Sequence, residues 1–87
     1  MNEEQLVTRG TSAQDLLSNT TFNKLSKELL DHYISMFLSS APNDVEGRNS
    51  AYYQCRSLQD LIAVLQQWVV IKDNILSNNT SEEEETL

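Results

Sequence analysis

Chemistry in this chain has few residues to work with. Cys55 and His32 are its single cysteine and single histidine. Together they are the raw material of a thiol–imidazole pair or of half a metal site. A structural zinc site needs four ligands, so two do not suffice. Cys55 also falls among apolar neighbours, where a structural thiol is expected rather than a nucleophile. His32 falls at the border of an apolar face, the place of a partly exposed boundary residue. Asp44 with Glu46, and Asp60 with Asp73, would serve acid–base work if each pair converged. The first pair has the spacing of a helix start and the second lies on a solvated face. No glycine-rich phosphate loop or nucleophile elbow occurs. The expectation is a protein that is not an enzyme, with no cofactor and no metal. What remains with recognition chemistry is the group Val45, Arg48, Tyr52, Tyr53 and Arg56. Aromatic rings and guanidinium groups suit a protein partner or an anionic ligand. The structural alternative is that helix one, or the crossover from helix two, packs over them.

The rest of the composition narrows the classes further. Eighty-seven residues with 39% apolar content allow one small domain. At that size burial and chain entropy nearly cancel unless a disulfide, a metal or a partner subunit helps. The lone cysteine excludes an internal disulfide, which leaves oligomerisation. The net charge is −7, with four negative charges in the run Glu82 to Glu85. The six basic residues are scattered, which disfavours nucleic acid as a partner. Glu3 and Glu4 open a polar N-terminus in which no signal peptide is expected. No stretch approaches the roughly 20 apolar residues of a membrane span. Asn19-Thr20-Thr21 and Asn78-Asn79-Thr80 match the glycosylation acceptor pattern, but without a secretory signal they read as chance matches.

These residues require helices to position them. Two glycines and one proline in the whole chain favour long helices over strands and turns. Asn2 to Ser18 carries Leu6, Gly10, Ala13 and Leu17 on one helical face, small in the middle where a neighbouring backbone can come close, with a possible break at Gly10. Thr20 or Thr21 caps a second helix to about Ser39, with Phe22, Leu25, Leu29, Tyr33 and Met36 on its inner face and Leu30, Ile34, Phe37 and Leu38 widening it. Pro42 ends it. Asn43 with Glu46 reads as a capping box, with Asp44 in the favourable dipole position, for a third helix from about Asp44 to Leu76. The short connection makes helices two and three an antiparallel hairpin. The expected fold is all-α: a helical hairpin plus an N-terminal helix, as an oligomeric bundle. Residues 1–79 form a single helical domain, and 80–87 an acidic tail expected to be disordered.

Helix three is unusually apolar. Between Cys55 and Leu76 its apolar residues fall in four adjacent heptad columns: Cys55, Ile62, Val69 and Leu76; Leu58, Leu65 and Lys72; Leu61, Trp68 and Ile75; Ser57, Val64 and Ile71. At 100° per residue they span an arc of about 160°, against about 100° for an ordinary surface helix. The arc is centred on Leu61, Trp68 and Ile75. One antiparallel neighbour covers only a seam of it. Helix one offers few apolar residues, so Leu61, Val64, Trp68, Ile71 and Ile75 are expected to meet another copy of the chain. Leaving Trp68, Ile71 and Ile75 in water would forgo about 1.5–3 kcal/mol each.

Arg9-Gly10-Thr11-Ser12-Ala13-Gln14-Asp15-Leu16-Leu17 and Ala41-Pro42-Asn43-Asp44-Val45-Glu46-Gly47-Arg48, the latter continuing into Tyr52, Arg56 and Leu58, resemble a family of small helical proteins of tailed bacteriophages. The spacing of Phe22, Leu29 and Tyr33 fits as well, and the likeness covers roughly residues 9 to 72. The family is largely without an assigned activity, so the resemblance implies a phage setting, in the host cytoplasm or the virion, more than a mechanism. It makes a self-associating structural or assembly protein the leading expectation. A small-ligand sponge for nucleotide immune signals, built on Arg48, Tyr52, Tyr53 and Arg56, is the second. A nucleic-acid-packaging accessory is the third.

Overall fold

The computed structural model describes the backbone of residues 1–85 and the side chains of residues 1–79. The described residues form three helices and no strand: α1 (Glu3–Leu17), α2 (Thr20–Ser39) and α3 (Val45–Glu85). The fold is all-α, as the spacing of apolar residues and the scarcity of glycine and proline predict. The chain divides into two compact units, one of residues 1–18 with 63–87, the other of residues 19–62.

Each helix starts on a side-chain cap. At α1, Asn2 accepts from the Gln5 amide at 2.8 Å while Gln5 accepts from the Asn2 amide at 3.1 Å, a reciprocal capping box. At α2 the cap is Asn19, whose Oδ1 accepts from the Phe22 amide at 2.8 Å, rather than Thr20 or Thr21. Asparagine is the stronger cap, and it places both threonines inside the first turn. At α3 the cap is Asp44 rather than Asn43. Its Oδ1 accepts from the Gly47 amide at 2.9 Å, and the turn closed by Asp44 N–H to the Ala41 carbonyl at 2.9 Å sets it there. A carboxylate at this point also faces the positive end of the helix dipole.

Two helix bounds depart from the reading of the sequence. Gly10 does not interrupt α1, which is continuous and buries Gly10 and Ala13. Asn78-Asn79 does not stop α3, whose backbone stays helical through Glu85. Asparagine in a helix interior costs only up to about 0.7 kcal/mol, and no glycine or proline follows. The expected disordered tail thus keeps helical backbone from 80 to 85, while Thr86 and Leu87, and the side chains of 80–85, lie outside the described residues.

In the first unit α1 lies against α3 at Trp68 and Lys72. A Cβ on Gly10 would stand 2.7 Å from the Trp68 carbonyl oxygen and would also collide with the Lys72 Cβ. The absent side chain is therefore what allows the backbones this close. In the second unit α2 and the start of α3 form the antiparallel hairpin. Ala51 is fully buried at their seam, and Phe22, Ser26, Leu30, Tyr33, Cys55, Leu58 and Ile62 are half-buried.

Candidate functional site

The side chains of α3 sort by burial along one edge of the apolar arc. Ala51, Leu58, Leu65 and Lys72 succeed one another at heptad spacing. Leu58 is half-buried and the other three are buried. The most enclosed line thus lies beside the expected centre of the arc. Of the five residues expected to meet another copy, Leu61 and Val64 are 50% and 39% exposed. Trp68, Ile71 and Ile75 are half-buried. In the first unit α1 takes up part of the Trp68 surface: the Arg9 guanidinium carbon sits 4.3 Å from the ring centroid. Arg9 Nε is enclosed there without an acceptor, so the indole face is its main electrostatic partner.

Lys72 is the residue the spacing did not explain. It is 6% exposed, on a heptad column otherwise apolar. Its ammonium donates to Gln14 Oε1 of α1 and pairs with Asp73 Oδ1 at 2.9 Å. Gln14 is thereby a partner of a buried charge. The signal in the sequence was a lysine standing where leucine recurs; its partner on α1 had no such signature.

Of the five residues of the expected recognition patch, Val45, Arg48, Tyr52 and Arg56 recur at helical spacing along one face of α3, with Tyr53 beside them. Val45 is 55% exposed at the first turn of α3. Arg48 folds back, its Nη2 donating to the Pro42 carbonyl at 2.9 Å. Arg56 pairs along the helix with Asp60 at 3.4 Å, both side chains largely in solvent, where such a pair contributes little. Tyr52 and Tyr53 meet edge to face, centroids 5.6 Å apart, but turn to opposite flanks of the hairpin. Tyr52 lines a small crevice of about 150 Å³ with Ile34, Phe37 and Cys55. Tyr53 lines a shallow open groove of about 530 Å³ with Leu29, Tyr33, Leu58 and Leu61, and with the uncharged Ser50, Gln54 and Ser57.

Among the described residues no helix is long and apolar enough to cross a membrane. No protein-family model, curated protein or solved structure matches the chain.

Proposed function

We propose that the chain is a non-enzymatic helical interaction and assembly protein that works as a homo-oligomer, in the tailed-phage setting that the resemblance implies. One observation carries this reading. Among the described residues the buried apolar set is Ala13, Ala51 and Leu65. Two of those are alanines, with little apolar surface to withdraw from water. A fully buried leucine or phenylalanine contributes about 1.5–3 kcal/mol, whereas ordering each residue's backbone costs about 1–2 kcal/mol. Leu25, Leu29, Ile34, Met36, Phe37, Leu38 and Leu61 all remain 41% exposed or more. A second subunit supplies the burial that one chain lacks. Light scattering of the purified protein is expected to give a mass of at least two chains, and the mass of one folded chain would count against the reading. Mass spectrometry of purified virions tests the setting: the chain among particle proteins supports a structural role, and its absence limits it to assembly.

A small-ligand sponge is the second reading. The groove beside Tyr53 has the volume of a small-molecule site. Neither Arg48 nor Arg56 lines it, however, and both are engaged elsewhere. An anionic ligand would find no counter-charge there. A thermal-shift screen against cyclic nucleotides is expected to show no stabilisation; a saturable shift would revive this reading.

A further inference from the structure

Helix α2 contains apolar residues along most of its length and yet has no buried residue. Its seam toward α3 passes through Leu30 and Tyr33, both half-buried. Leu25, Leu29 and Met36 stand together on one flank of that seam, 56%, 41% and 42% exposed. Their helical spacing puts them in one row, with His32 between Leu29 and Met36. Leu29 of that row lines an open groove with Tyr33 and, on α3, with Tyr53, 65% exposed, and Leu61, 50% exposed.

We propose that this groove is where the chain self-associates, its occupant being α2 of a second copy, so that two hairpins pair into a four-helix arrangement. The proposal rests on the self-association reading above and adds its location. Three observations favour a second copy. The exposed fractions of Leu25, Leu29, Met36, Tyr53 and Leu61 amount to roughly 500 Å² at about 200 Å² per large side chain. A standard interface buries about 800 Å² per partner, some 60% of it apolar, so the supply matches the requirement. The polar residues that line the groove are uncharged, so the groove itself sets no carboxylate against a second chain of net charge −7. The contact is also self-complementary: each copy offers a leucine row and a groove to receive one, as a two-fold interface requires. The crevice on the other flank, beside Tyr52, is smaller.

The test uses the full chain and reads its association constant by sedimentation. Leu29→Glu is expected to weaken self-association by about 30-fold or more, the size expected when a central anchor is lost, with helix content unchanged by circular dichroism. Leu38→Glu, at an exposed position of α2 that does not line the groove, is expected to stay within about 3-fold of wild type. In a Cys55→Ser background, Leu29→Cys should give covalent dimers on mild oxidation, whereas Leu38→Cys, 76% exposed, should not. That pair decides the matter if Leu29→Glu fails to fold. Wild-type association by Leu29→Glu, or its loss in Leu38→Glu alone, would overturn the groove and leave self-association standing. A wild-type chain that is monomeric throughout would overturn both.

Discussion

Gly10 lacks a side chain, and the space a methyl group would occupy is taken by the Trp68 carbonyl and the Lys72 side chain. Alanine there gains up to about 1 kcal/mol of helix propensity, but the obstacle is partly backbone and cannot rotate aside. Overpacking of this kind costs about 1–3 kcal/mol, so Gly10→Ala is expected to lower stability. Trp68 is the single tryptophan, so thermal unfolding followed by its fluorescence reports the unit in question; an unchanged or raised midpoint would refute the close-approach account. The buried Lys72–Gln14 contact makes a second prediction. Gln14→Leu removes an acceptor from an enclosed ammonium and is expected to cost about 1–3 kcal/mol. Lys72→Met, an apolar side chain of similar reach, is expected to be neutral or stabilising. In the Lys72→Met background Gln14→Leu should then cost much less. Additive effects in denaturant melts would show that the two side chains do not act as a pair.

At the scale of the elements, the loop between α2 and α3 is held by Asp44, which caps α3, and by Arg48, which reaches back to the Pro42 carbonyl. Asp44→Ala should cost about 0.5–2 kcal/mol, as other N-cap losses do, whereas Asn43→Ala should be nearly silent. The reverse order in urea melts would restore Asn43 as the cap. Which helices form was legible in the sequence because periodicity and the placement of Pro42 are strong local signals. Their starts were less so: Asn19 with Thr20 and Thr21, and Asn43 with Asp44, are neighbouring residues of similar capping chemistry, and backbone geometry chooses between them. The apolar arc of α3 was legible as an arc, but not the edge along which it is buried. In the first unit that edge depends on where α1 approaches, which Gly10 permits without any large apolar residue to announce it. Arg9 over Trp68 escaped for the same reason, since a cation over an aromatic ring leaves no periodic trace. That Val45, Arg48, Tyr52 and Arg56 share a face of α3 was legible from their spacing; that Arg48 folds back to the Pro42 carbonyl and Arg56 pairs with Asp60 was not, because each depends on how far a flexible side chain reaches.

For the molecule as a whole, burial is the governing quantity. Two units built from three helices enclose Ala13, Ala51 and Leu65 as their apolar core among the described residues, while the leucine row of α2 stays in contact with solvent. If association supplies the missing burial, stability must depend on protein concentration, since whatever binds only the folded chain raises its unfolding midpoint by mass action. Sedimentation equilibrium from nanomolar to tens of micromolar, with helix content monitored in parallel, measures this most directly. The account predicts dimers or larger assemblies at micromolar concentration, dissociating on dilution with loss of helix. A fully helical, single-chain species across that whole range would contradict it.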